Sequence, residues 1–394
     1  MTRPLLSRRH LSLLILFLPG IILLLSRLGS DPEPSAWQAN PDLRVYQQTA
    51  PAQSTYRLHL LLPQPLDISS GHQLEQQLLL HALQQRLGNK NVQTHWQQRL
   101  GALPTFQRQP GHVLLALNLD QAPVSAELSW LLQELQVPPS VDWPALLKRA
   151  QAEHYLARQE PEAWLKSQFP DQEPDGYRLN PLTAYQAWLQ PGRWQLTLSS
   201  PEPLSLELPT DHPPTPIAST QELLLKALPV AAPATPTGLH LHRWSLPAVG
   251  SVELFALNLL ARESIQQQLS MWLEQHQNNG IQAGYSLSWI PALPHGRTTL
   301  ILQGDSWPAL KGWLPQQLAS VDLEPAREAV MEQIRHPERQ QFWVDLLAIH
   351  QLPADTLTRL PKALMTITPD ELQLWLQARL ESDYYHTLSL PASP

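Results

Sequence analysis

Cysteine is absent from all 394 residues. That excludes disulfides, thiolate zinc sites, a cysteine nucleophile and a lipidated cysteine, while leaving either redox compartment open. Positive charge is also scarce. Lys and Arg total 27 against 34 Asp and Glu, and the formal charge of -7 leaves no basic surface of the kind nucleic acid requires. No G-x-S-x-G elbow, P-loop or glycine-rich dinucleotide fingerprint occurs, so nucleophile-elbow and nucleotide chemistry lack a motif. What is present is globular. The chain is 43% apolar and long enough for two domains with separate cores, and many of its 40 prolines punctuate loops between apolar segments.

The N-terminus carries the longest apolar run. Arg3, Arg8, Arg9 and His10 precede "LSLLILFLPGIILLLS", which extends from Leu11 to Ser26. A basic flank before an apolar segment reads as a secretion signal or signal anchor with the basic end in the cytoplasm. The run is short for a full span of about 20 residues, and "PSA" at 34–36 is the nearest approach to a cleavage site. The expectation is an uncleaved single-pass anchor over 1–29 in a bacterial inner membrane, with the bulk of the chain in the periplasm.

Two polar, proline-bearing stretches divide the rest: a tether at 30–52 and a linker at 206–237. The segments they separate, 53–205 and 238–394, repeat one plan. The strand "TYRLHLLLP" has its counterpart in "GLHLHRWSLP", and each is followed by a Leu- and Gln-rich helix. The strands "GHVLLALNLD" and "GRTTLILQGD" come next, and two further helices follow each. Both halves finish with a Pro near a helix start, a Trp inside that helix and a closing strand. The offset stays near about 185 residues, from Arg57 to Arg243 and from Gly111 to Gly296. The pattern predicts a duplicated α+β domain, each copy an antiparallel-rich sheet backed by helices.

Two local phrases sharpen this plan: "LLPQPLDISSGHQLEQQLLLHAL" in the first half and "ITPDELQLWLQARL" in the second. With the paired domains, they resemble the insulinase/pitrilysin family of zinc metallopeptidases, the inverzincins, over roughly residues 50–392. Active members of that family carry H-x-x-E-H on the first long helix and a further Glu about 77 residues on. The two His grip Zn²⁺ from one helix face and the Glu activates the zinc-bound water. Laid on this chain, the resemblance makes His72 the first ligand, Glu75 the base, Gln76 the second ligand and Glu153 the third. A second alignment, anchored on Gly71, puts Leu74, Gln77 and Leu78 at the three motif positions. In both, an amide or an alkyl group stands where an imidazole is needed, so the resemblance implies a degenerate site. Zinc, and peptidase activity through His72, Glu75 and Glu153, belong to an alternative reading.

Some two-chain members of the family supply an Arg and a Tyr from the zinc-free partner. The stretch "GIQAGYS" puts Tyr285 at the Tyr position as a substrate-holding candidate, while Gln, His or Asn takes the Arg position and Arg262 is the nearest upstream arginine. The "HLH" of His240 and His242, and His59, put imidazoles on strand faces. The resemblance thus implies a catalytically inactive, membrane-anchored homologue without cofactor. It would partner an active insulinase-type zinc peptidase or a second copy of itself. A stand-alone periplasmic module for binding polypeptide or assembling the envelope is the alternative.

Overall fold

A computed structural model describes residues 37–40, 44–49, 54–66, 70–168, 176–209, 222–277, 283–290, 295–336 and 339–393. The expected anchor at 1–29 lies outside them, and among the described residues no helix is long and apolar enough to cross a membrane.

In the first half the chain runs β1 (Trp37–Asn40), β2 (Val45–Thr49), β3 (Tyr56–Pro63), α1 (Ser70–Leu87), α2 (Lys90–Leu100), β4 (Thr105–Gln109) and β5 (His112–Leu119). It continues through α3 (Ser125–Gln136), α4 (Trp143–Ala157), α5 (Pro161–Ser167), β6 (Tyr177–Leu179), α6 (Pro181–Trp188), β7 (Gln195–Ser200) and β8 (Leu223–Leu225). The second half contains β9 (Leu239–Leu246), α7 (Val252–Gln277), β10 (Gly284–Ile290), β11 (Gly296–Gln303), α8 (Leu310–Ala319) and α9 (Glu324–Arg335). Then come α10 (Gln340–His350), α11 (Thr356–Thr366), α12 (Pro369–Leu380) and β12 (His386–Leu390).

Three sheets result, in the orders β1-β2-β7-β3-β5-β4, β10-β11-β9-β12 and β6-β8. Every neighbouring pair is antiparallel except β2 with β7. The architecture is therefore α+β with antiparallel-rich sheets.

Strand alternation explains how the halves join. On β3, Leu58, Leu60 and Leu62 point into the core made with α1 and α3, whereas Leu61 on the opposite face joins the core of the second half. There α10 lies across β2, β3 and β7. On β9, Leu239 and Leu241 meet Leu165 of α5, while Trp244 and Leu246 point into the second half's own core. Each of the two larger sheets thus has one face covered by its own helices and the other by a short helix from the opposite half. A polar group pins the first of these contacts. The buried Asp345 of α10 sits 2.9 Å from His59 Nδ1, and its other oxygen accepts from Thr197 Oγ1 at 2.6 Å and Gln341 Nε2 at 2.8 Å.

The tether and the linker both differ from the sequence expectation. Within 30–52, β2 is part of the six-stranded sheet, with Val45, Tyr46, Gln47 and Gln48 all buried. The reason is polar burial: Ser200 lies within hydrogen-bond reach of the Gln47 amide at 3.2 Å and of the Gln48 carbonyl at 3.5 Å. Within 206–237, Leu206, Leu208, Leu223 and Leu225 are buried in the first core, and β8 pairs with β6.

Candidate functional site

Leucines fix the orientation of α1. Leu74 and Leu78 are fully buried in the first core, together with Leu79 and Leu83, so Glu75, Gln76 and Gln77 between them are only partly covered. Helix α4 packs alongside. It starts where Asp142 accepts a hydrogen bond from the Ala145 amide at 3.1 Å and Pro144 occupies the first turn. Beneath both helices the β4–β5 hairpin turns through Pro110 and Gly111. The latter's φ of 81° suits the second central position of a type II turn, which a side-chain-bearing residue resists.

These elements, with α5 and with Ile290 and Arg297 of the second half, enclose a cavity of about 580 Å³. Helix α1 contributes Gln73, Gln76, Gln77 and Leu80 to it, the i, i+3, i+4, i+7 set of one helix face, and α4 contributes Glu153, His154 and Ala157.

Glu153 is the centre of the polar contacts here. Its carboxylate accepts from Gln77 Nε2 at 2.8 Å and from Arg149 Nε at 2.8 Å. The buried ring of His81 places Nε2 2.9 Å from it, outside aligned hydrogen-bond geometry. Partial burial raises the carboxyl pKa, but Arg149, Gln77 and His81 outweigh it and hold the group below its usual value.

The sequence candidates are distributed as follows. Gln76 lines the cavity and donates a long 3.4 Å hydrogen bond to the Pro65 carbonyl. His72 and Glu75 do not line it. His72 stacks on Tyr177 with ring centroids 4.9 Å apart, and Glu75 accepts a hydrogen bond from the Tyr177 hydroxyl. Both therefore stand on the flank of α1 facing the β6–β8 ribbon. In the Gly71-anchored alignment Leu74 and Leu78 point into the core and Gln77 alone reaches Glu153. Neither alignment brings its three helix residues together with Glu153. The face that does meet Glu153 carries Gln73, Gln76 and Gln77 at H-x-x-E-H spacing, with Glu153 76 residues beyond Gln77. Nothing in the sequence marked this register, because all three positions hold the same neutral residue.

The donor set does not fit zinc. Among the described residues no three His, Cys, Asp or Glu side chains converge as a metal ion requires. Carboxamides are much weaker zinc donors than the imidazoles and carboxylates that zinc sites employ, and the one carboxylate is already engaged by an arginine and an amide.

Tyr285 lies away from the cavity. Its hydroxyl pairs with Ser270 Oγ at 2.6 Å and also donates to the Gln266 carbonyl at 3.3 Å, both on α7, and its ring meets Trp307 edge-on. Arg262 lies on α7 rather than on β10. His240 pairs with Ser389 and Asp305, and His242 with the Tyr385 hydroxyl, so the two imidazoles have separate partners.

Comparison with known proteins follows the fold. No protein-family model matches the sequence, and no curated protein matches it. Solved structures do. The M16 peptidase inactive domain from Pseudomonas fluorescens superposes with a TM-score of 0.57 at 13% identity, covering 91% of this chain and 99% of that one. The periplasmic protease PqqL from Escherichia coli gives 0.54 at 11% identity, over 89% of this chain and 44% of that one. A chain of complex III from Candida albicans gives 0.52 at 9% identity, over 88% of this chain and 93% of that one. The fold is that of the M16, or insulinase/pitrilysin-type, peptidases.

Proposed function

We propose that this chain, with its M16 peptidase fold, is a non-catalytic homologue that acts as a subunit or regulator of an active zinc peptidase, held to a bacterial inner membrane by residues 1–29 and facing the periplasm. One observation carries the reading. The helix face turned toward Glu153 presents Gln73, Gln76 and Gln77 where the peptidase motif has two imidazoles and a general base. A neutral amide neither grips the metal nor takes a proton from bound water, so the face retains its shape without the chemistry.

Partnership is favoured by the company this fold keeps. One similar chain comes from a structure of complex III, and this chain spans 44% of the periplasmic protease PqqL, so one copy matches less than half of that protein. The basic flank and apolar run at 3–26 support the membrane and periplasmic assignments.

Mild solubilisation of the native membrane, followed by identification of the proteins that co-purify with this chain, tests the proposal. Recovery of a zinc peptidase carrying an intact H-x-x-E-H is the expected result. Recovery of this chain alone, with peptide binding, would instead favour a stand-alone polypeptide-binding module.

A further inference from the structure

The cavity beneath α1 has a charge opposite to that of the molecule. Over the whole chain carboxylates outnumber Lys and Arg, 34 to 27. Among the described residues, the cavity wall carries four cations, Arg108, Arg158, Lys166 and Arg297, against the single carboxylate of Glu153. That carboxylate is itself neutralised by Arg149 at 2.8 Å. The cations come from four separate elements: the β4–β5 hairpin, the end of α4, α5 and β11. Three belong to the first half and Arg297 to the second, and no single basic stretch of sequence supplies them.

Three of them have partners of their own, Lys166 pairing with Glu162 at 3.3 Å. Arg297 reaches across the halves to donate to the Leu66 carbonyl at 3.1 Å, and Arg158 donates to Ser167 Oγ at 2.9 Å. Behind Arg297 lies Arg243, buried on the neighbouring strand. Burial first, and then the proximity of Arg297, depress its pKa to about 10. Like charges brought together in a poorly solvated place raise the potential of the space in front of them. Much of the remaining polar wall is amide, with Gln73, Gln76, Gln77 and Gln109 offering both donors and acceptors beside His112, His154 and Ser167. Strand β4, which ends at the cavity, is the outermost strand of its sheet.

We propose that this interdomain cavity binds a carboxylate-rich segment of an extended polypeptide, the cations selecting its charge and the amides its backbone. The inference deepens the non-catalytic reading by naming the class of polypeptide handled. Indifference to peptide charge would sink this assignment alone, whereas peptide cleavage would sink that reading.

The test is fluorescence anisotropy of the full chain with a labelled Asp- and Glu-rich peptide, its Asn- and Gln-substituted counterpart, and citrate as competitor. The acidic peptide is expected to bind about tenfold or more tightly than the neutral one and to weaken as salt rises. Arg108→Glu, at an exposed position, should weaken it about tenfold further without lowering the melting temperature. Lys166→Glu on a different element provides a second variant should the first misfold. Equal affinity for the two peptides, no binding, or indifference to both charge reversals would overturn the proposal. Citrate binding as tightly as the peptide would overturn it too, by reducing the site to one for small anions.

Discussion

At the scale of single residues, Glu153 gathers the polar contacts of the site. In Glu153→Ala, Gln77 and Arg149 lose their acceptor, and the site is partly open to water. A loss of about 0.5–1.5 kcal/mol is expected in chemical denaturation, well short of collapse. The three glutamines set a complementary expectation. Gln73→His with Gln77→His puts two imidazoles one helical turn apart beside Glu153, and zinc should then raise the melting temperature of the variant but leave that of the parent chain unchanged. Acid sensitivity also resides in single residues. His350 is buried, neither ring nitrogen is hydrogen-bonded among the described residues, and burial lowers its pKa from 6.5 to about 4. His242 is lowered to about 4 by burial and then by His240. Both are neutral in the folded chain, while the unfolded chain takes up protons below about 6.5. Their contribution is thus complete above that pH and is lost as pH falls toward about 4. His350→Leu should flatten the fall of melting temperature across that interval, as a pH series of melting curves would show.

At the scale of elements, two short helices hold the halves together, and each makes a separable prediction. Asp345 on α10 is buried and serves His59, Thr197 and Gln341 at once. Asp345→Ala strands those groups and should cost roughly 2–3 kcal/mol, visible as a lower denaturation midpoint. On α5, Leu165 is fully buried against β9 and β12. Leu165→Ala should cost about 2–5 kcal/mol. Neither contact was visible in the sequence, because each joins a helix of one half to strands of the other, far apart along the chain. The strands missed by sequence reading share a different cause. β4, "TFQRQ", is mostly exposed and polar at the sheet edge, while β2 buries glutamines whose polarity is met by hydrogen bonds. Composition alone makes both look like loops.

At the scale of the whole molecule, the repeated order of segments in the sequence made the α+β plan legible. Leu-rich strands and capped helices recur in order, from β3 and α1 to β9 and α7, and each reading supports the other. The candidate site was legible only in part. Its helix and Glu153 could be named, but its register could not, since Gln73, Gln76 and Gln77 offer no chemical landmark until α4 is packed against α1. What remains is a peptidase fold with an amide-lined, cation-ringed space between its halves.

The most direct test of the non-catalytic account is calorimetric titration of zinc into the full chain and into Glu153→Gln. The account predicts no stoichiometric site in either protein. One tightly bound zinc per chain that disappears in Glu153→Gln would contradict it.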